Sequence, residues 1–155
     1  MLTQADMLAR ARGMREQVST IDPNAAALLA ELYPTVSSTL TETEQVRFER
    51  YTPEWEPDTE YKKCQTLMRN GHLYRVSQDH TSQEIYPPET AGESLYYPIT
   101  VAPDGIIVYR TCHGEYDMVR KGELRYYPGA EGPVYEALED TAYSPDTYPA
   151  HWKEV

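Results

Sequence analysis

The sequence predicts an α+β protein, with an N-terminal helical hairpin followed by two small antiparallel β-modules. Two observations lead to this fold class. The first third of the chain carries apolar residues at helical spacing, and the rest is rich in Tyr, Pro and Gly and contains an internal repeat. The 155 residues suffice for one ordinary domain or two very small ones. We expect the hairpin over residues 1–34, a linker with a possible strand over 35–54, and β-modules over 55–100 and 101–155.

Two helices are predicted in the hairpin. Thr3 to Asp6 offers an approximate capping box for the first helix. Asp22 is the expected N-cap of the second helix, Pro23 its first residue, and Pro34 its end. The apolar stripe of the first helix consists of Met7, Leu8, Ala11, Met14 and Val18.

The segment after the hairpin is predicted to be a linker and then a short strand. The sequence TVSSTLTET, residues 35–43, has the Ser/Thr-rich composition of a linker. Val46 and Phe48 then alternate with polar neighbours, which indicates a strand. Seven carboxylates fall between Glu42 and Glu60. We interpret them as a solvated acidic face; a calcium site is the alternative, although the EF-hand loop pattern is absent.

Residues 55–155 contain two copies of one pattern. Each copy is predicted to form a hairpin and a closing strand that carries an aromatic and an aliphatic residue. The hairpin turn is the short RNGH in the first copy and the longer YYPGAEGP in the second. Tyr61 and Tyr116 are expected to begin the strand before each glycine. The matched pairs are Gly71 and Gly132, Leu73 and Val134, Tyr74 and Tyr135, Tyr86 and Tyr143, Pro88 and Pro145, Tyr96 and Trp152, and Ile99 and Val155.

Composition excludes several classes of function. The formal net charge of -11 opposes direct binding to nucleic acid, which depends on Lys and Arg at the phosphates. No apolar run approaches the ~20 residues that a membrane span requires, and the polar N-terminus does not resemble a signal peptide. Two cysteines without CxxC spacing favour neither a disulfide framework nor a zinc knuckle. We therefore expect synthesis in the cytoplasm and no membrane insertion.

No motif predicts catalysis, a cofactor or a metal site. The chain has no GxSxG, HExxH or Walker sequence, so we expect a non-enzymatic protein without catalytic residues. The stretch NGHLYRVSQDHTSQEIYPP holds His72 and His80, but a metal site would also need Cys64 or the Cys112-His113 pair to converge on them. We favour a hydrogen-bonded loop in which backbone groups hold His80.

These motifs resemble a known family of binding modules. The segment YKKCQTLMRNGHLYRVSQDHTSQEIYPPETAGESLYYPI resembles the chitin-binding modules of carbohydrate-binding families five and twelve, and KGELRYYPGAEGPVYEALEDTAYSPDTYPAHWKEV is similar to a second such module. The hairpin followed by two modules is similar to phage and prophage tail-associated proteins. Cys64 and Gln65 depart from the family's Gly-Asp pair, and tyrosines replace its paired tryptophans.

The resemblance implies a phage or phage-like tail component in the virion, made in the bacterial host cytoplasm. Its β-modules, of carbohydrate-binding type, would contact host cell-surface polysaccharide, and its helices would contact other tail proteins or identical copies in a homo-oligomer. Two alternatives remain open. One is a structural or assembly protein of the tail without glycan binding, and the other is an acidic inhibitor that mimics nucleic acid.

Tyrosines are the expected glycan contacts, because a pyranose face stacks on an aromatic ring while hydroxyl and amide groups meet its polar edge. The alternative for any of these rings is a place in the core of a small module. Core packing is the favoured interpretation for Trp55 and Trp152, and for Tyr61, Tyr74, Tyr116 and Tyr135. The candidate glycan-binding residues are Tyr86, Tyr143, Tyr96, Tyr97 and Trp152.

Overall fold

The structure is a computed structural model that describes residues 22–155. The described residues divide into two compact units, residues 22–100 and residues 101–155. The first unit combines α-helices with small sheets, and the second combines a sheet with two 3₁₀ turns, Glu115–Asp117 and Pro149–His151, so the predicted mixed α+β class is confirmed. The first predicted helix, with its apolar stripe, lies outside the described residues. None of the described helices has the length and apolar character needed to cross a bilayer.

Helix α1 (Pro23–Val36) begins as predicted but ends later. The Asp22 side chain accepts a hydrogen bond of 2.7 Å from the Asn24 N–H, and Pro23 occupies the first turn. Pro34 lies inside the helix, so the prediction that it ends α1 is wrong. Pro34 lacks the N–H that would bond within the helix, but Gln65 Nε2 donates to its carbonyl at 2.9 Å, so a contact with the rest of the unit supports this turn.

The predicted linker and strand are both wrong, because this segment is helical. A 3₁₀ turn (Ser37–Thr39) continues from α1, and α2 (Glu42–Arg47) covers most of the expected strand. Thr41 and Glu44 form a reciprocal capping box at the start of α2. The T-x-x-E sequence of this box outweighs the alternation at Val46 and Phe48 as a local signal.

The first unit contains two small antiparallel sheets. Strands β2 (Thr66–Arg69), β3 (His72–Val76) and β5 (Tyr96–Ile99) pair in that order, and β1 (Glu60–Tyr61) pairs with β4 (His80–Thr81). Asn70 and Gly71 both have positive φ, which is the backbone of a tight hairpin turn. The short helix α3 (Pro88–Ala91) precedes β5. The core cluster is Trp55, Tyr61, Leu67, Val76 and Tyr96.

The helices of this unit are bound to its sheet by buried polar contacts. Tyr33 Oη lies 2.9 Å from Thr66 Oγ1. Gln45 Nε2 donates to the carbonyls of Ser37 and Cys64, both at 2.6 Å. These contacts join α1 and α2 to the strands, so the described helical segment is an integral part of the first unit.

The second unit contains one mixed sheet of four strands. Strands β6 (Ile107–Val108), β7 (Leu124–Tyr126), β8 (Val134–Ala137) and β9 (Trp152–Glu154) pair in that order. The pairs β7–β8 and β8–β9 are antiparallel as predicted, whereas β6 pairs parallel with β7. Val119, Ala137 and Trp152 form the buried core cluster.

The internal repeat is confirmed by strand register. Tyr74 pairs with Pro98 in the first unit, and its match Tyr135 pairs with Glu154 in the second. Two residues further along β3 and β8, each strand pairs with the aromatic residue of its closing strand. Val76 faces Tyr96 in the first copy, and Ala137 faces Trp152 in the second. Both copies therefore use the same arrangement of hairpin and closing strand. The expected match of Tyr116 with Tyr61 is wrong, because Val119 occupies the equivalent bridge position and pairs with Thr141.

Candidate functional site

The structure separates the five candidate glycan-binding residues into core and surface. Tyr96, Tyr97 and Trp152 are 1%, 0% and 6% exposed, so their predicted role as ligand contacts is wrong. Their rings are needed to fill the small cores, and polar partners take up their donor groups. Tyr86 and Tyr143 are 49% and 53% exposed and remain available to a ligand.

Tyr143 lines a cleft of about 610 Å³ in the second unit. Three tyrosines face this cleft, and the remaining lining is small or polar apart from one arginine. Its size is within the range of pockets that hold a small ligand, and the aromatic lining is typical of them. The lining residues are Tyr109, Arg110, Thr111, Cys112, Tyr127, Pro128, Ala142, Tyr143, Ser144 and Thr147.

The aromatic lining of the cleft is supported by the core. The Tyr109 ring meets Trp152 edge-on at 6.0 Å and Tyr127 at 5.7 Å between centroids. Burial raises the pKa of Tyr109, and its hydroxyl donates to the Ala142 carbonyl at 3.0 Å. This hydrogen bond attaches the loop that carries Tyr143 to the opposite side of the cleft.

The backbone of Tyr143 is fixed at both of its polar groups. Its N–H donates to Thr141 Oγ1 at 3.1 Å. Its carbonyl accepts from Trp152 Nε1 at 2.9 Å. The ring is therefore presented from a fixed backbone, although Tyr143 lies between strands.

Arg110, the one charged residue among the described residues that line the cleft, is neutralised locally. Arg110 Nη2 donates to Asp117 Oδ2 at 2.6 Å. Burial by itself would raise the pKa of Asp117, but hydrogen bonds from the backbone N–H groups of His113 and Gly114, together with Arg110, hold it below its usual value. Asp117 is thus a buried carboxylate that shapes the loop beside the cleft. Among residues 22–155, no Asp or Glu side chain lines the cleft itself.

Tyr86 has a different environment from its repeat partner. It lies in an exposed loop next to Ile85, which is 72% exposed. Its N–H donates to the Gln83 carbonyl at 2.9 Å. Among residues 22–155 no aromatic ring contacts the Tyr86 ring. Tyr86 and Tyr143 are thus similarly exposed, but only Tyr143 lies beside a cleft lined by other aromatic rings.

The expectation that His80 lies in a loop is wrong, because His80 lies in β4, and its ring is held by one backbone carbonyl and one side-chain hydroxyl rather than by backbone groups alone. Its Nδ1 donates to the Gln78 carbonyl at 2.8 Å, and its Nε2 lies 2.8 Å from the hydroxyl of Tyr96. Trp55 Nε1 donates to the same hydroxyl at 2.9 Å, so Tyr96 donates onward to His80. Within the described ranges, no three His, Cys, Asp or Glu side chains are grouped to hold a metal ion.

The site also contains residues that the sequence did not single out. Tyr109 directly follows β6, and its N–H donates to the Tyr126 carbonyl at 2.9 Å, while Tyr127 lies in the longer hairpin of the second copy. Neither residue has a counterpart in the repeat, so comparing the copies could not find them. The surplus of tyrosines was the only signal in the sequence that included both residues.

The cleft offers aromatic rings for stacking together with hydroxyl and carbonyl groups, and the positive charge of Arg110 is balanced by Asp117. This combination suits a ligand with both apolar faces and many hydroxyl groups. Neither the scan of protein-family models nor the search of curated proteins gave a match to this chain.

Proposed function

We propose that this protein is a non-enzymatic glycan-binding component of a phage or phage-like tail. The observation that carries the proposal is the half-exposed Tyr143 on a fixed backbone beside an aromatic cleft. A sugar ring would stack on Tyr143 and direct its hydroxyl groups toward Ser144, Thr147 and the Thr111 backbone. The second unit is then the binding module.

The resemblance of the chain to tandem chitin-binding modules of tail-associated proteins supports this proposal. In the virion, the protein would contact host cell-surface polysaccharide through the cleft and other tail proteins through the rest of its surface. One shallow cleft gives low affinity. Many copies on one particle raise the overall avidity by orders of magnitude without new contacts.

Co-sedimentation with insoluble chitin, peptidoglycan and whole bacterial cell walls tests this function. Tyr143→Ala removes the proposed stacking ring, and Tyr86→Ala is the matched control because Tyr86 is equally exposed but lies outside the cleft. We expect the wild type to bind at least one of these polymers. Tyr143→Ala should reduce binding about tenfold or more, since loss of a stacked aromatic ring costs roughly 1–3 kcal/mol by analogy with base stacking. Tyr86→Ala should bind as the wild type does.

Two results would contradict the proposal. The first is the absence of wild-type binding to all three polymers, and the second is binding that Tyr143→Ala leaves intact. Loss of binding in Tyr86→Ala alone would move the site to the first unit.

One observation favours a second candidate function, assembly without glycan binding. Leu28, Leu32 and Val36 follow one another at four-residue spacing on α1 and are 55%, 51% and 46% exposed. Glu31 is the only charged residue within α1. In a chain of net charge -11, a contact through this surface places few like charges next to one another.

Light scattering tests this candidate. Self-association through α1 predicts that the double substitution Leu28→Glu and Leu32→Glu lowers the molar mass to that of one chain. An unchanged mass would exclude α1 as the contact.

A further inference from the structure

The ring of Tyr143 is supported from outside the cleft. It stacks on the ring of Tyr148 with centroids 5.8 Å apart and an interplanar angle of 27°. The Tyr148 ring in turn packs on His151, with centroids 3.9 Å apart. Tyr148 is 46% exposed but does not line the cleft. Tyr148 therefore packs on the Tyr143 ring without lining the cleft itself.

The backbone of Tyr143 is connected to the same histidine. The Tyr143 N–H donates to Thr141 Oγ1, which lies 2.8 Å from His151 Nδ1. His151 Nε2 lies 2.7 Å from Glu139 Oε1. A carboxylate only accepts, so Nε2 carries the proton, and in the neutral ring Nδ1 accepts from the Thr141 hydroxyl. One imidazole thus orients both the backbone and the ring of Tyr143.

This chain of contacts contains a carboxylate, an imidazole and a hydroxyl in sequence, as a hydrolase triad does. Thr141, however, is only 1% exposed, and its Oγ1 also accepts the Tyr143 N–H. A substrate does not reach the Thr141 hydroxyl in this arrangement. Glu139, His151 and Thr141 therefore hold the backbone of Tyr143 in place and do not attack a substrate bond.

We propose that Tyr148 and His151 are positioning residues that hold the Tyr143 ring in its binding orientation before a glycan arrives. This inference rests on the proposed glycan-binding function. Fixing a mobile side chain on binding costs conformational entropy and so lowers affinity. A ring that is already held in place avoids this cost. Tyr86 lacks such a backing ring among the described residues, so the proposal predicts that the second copy binds glycan and the first does not.

Two substitutions at Tyr148 in the full chain test the inference. Tyr148→Phe keeps the stacked ring, and Tyr148→Leu keeps apolar bulk without a ring. Without any glycan, we expect the ring-current shifts of the Tyr143 ring protons in NMR spectra to persist in the Phe variant and to disappear in the Leu variant. Binding to the wall polymer that the wild type retains should be unchanged in the Phe variant. In the Leu variant it should weaken roughly two- to tenfold, which corresponds to the loss of one aromatic pair.

The two measurements separate failure of this inference from failure of the proposed function. Identical Tyr143 resonances in the wild type and the Leu variant would overturn the positioning role, whatever the protein binds. Shifted resonances with unchanged affinity would show that the stack exists but does not serve binding, which also overturns the inference. Absence of wild-type binding to every polymer, or unaltered binding by Tyr143→Ala, would overturn the proposed function, and the inference with it.

Discussion

Cys64 and Gly122 occupy the same position in the two repeat copies. The Cys64 N–H donates to Val76, and the Gly122 N–H donates to the matched Ala137. Both residues have positive φ, 73° and 88°, a conformation that costs a residue with a side chain about 1–2 kcal/mol. Gly122→Ala should therefore lower the free energy of unfolding by about 1 kcal/mol, and Cys64→Gly should raise it by less, because glycine gains chain entropy when unfolded. Urea unfolding measures the free energy of unfolding of both variants. Changes of the same sign in the two variants would contradict the equivalence of Cys64 and Gly122.

Gly132 is required by a close approach rather than by its dihedral angles. A Cβ at this position would overlap the carbonyl oxygen of Tyr127 and lie 2.8 Å from its carbonyl carbon. Tyr127 lines the cleft. We expect Gly132→Ala to destabilise the second unit by about 1–3 kcal/mol and to weaken glycan binding, because the Tyr127 backbone must move.

Gly129→Ala in the same loop is the matched control, since a Cβ there meets nothing within 4 Å. Thermal unfolding of both variants tests the difference. Equal stability of the two would show that the loop adapts freely.

At the scale of elements, a buried ion pair attaches α2 to the sheet of the first unit. Arg75 Nη1 lies 3.5 Å from Glu42 Oε1, and the Tyr97 hydroxyl donates to the same oxygen at 3.0 Å. Glu42→Gln leaves a buried guanidinium without its counter-charge and should cost about 3 kcal/mol. Glu89→Gln breaks a half-exposed pair with Arg69 and should cost less than about 1 kcal/mol.

Chemical denaturation measures the free energy of unfolding that Glu42→Gln and Glu89→Gln each lose. A similar loss in both would mean that water reaches the Arg75 pair and that α2 is not bound to the sheet through it.

The loop beside the cleft should respond to acid through Asp117. Its folded-state pKa lies below the ordinary value, so its contribution to stability is complete above about pH 4 and is lost as the pH falls through the folded-state pKa. Asp117→Asn should be less stable than the wild type at neutral pH, and the difference should shrink in strong acid. Thermal unfolding across this acidic range measures the difference, and a constant gap at every pH would contradict it.

The elements differ in how well the sequence predicts them. Asp22, Pro23 and the Asn-Gly turn are local signals, and the structure follows them. Pro34 was a misleading signal because tertiary contacts support the helix there: the buried Tyr33 bonds to Thr66, and Gln65 donates to the Pro34 carbonyl. The strand expected at Val46 failed because alternation over a few residues is weaker than a capping box.

At the scale of the whole molecule, the repeat predicted the strand register but not the site. Matched positions share a backbone role, so Tyr96 and Trp152 close their sheets equally and are both buried. The cleft depends on what the second copy alone possesses, the longer hairpin and the preceding strand β6. Tertiary contacts of this kind leave no periodic pattern in a single sequence.

Glycan binding by the cleft around Tyr143 is measured most directly by an NMR titration of the full chain with soluble chitin oligomers and, separately, with soluble peptidoglycan fragments. We expect saturable shifts confined to the cleft, at Tyr109, Thr111, Tyr127 and Tyr143, with Tyr86 unaffected. Shifts centred on Tyr86, or no shifts with either ligand, would contradict this expectation.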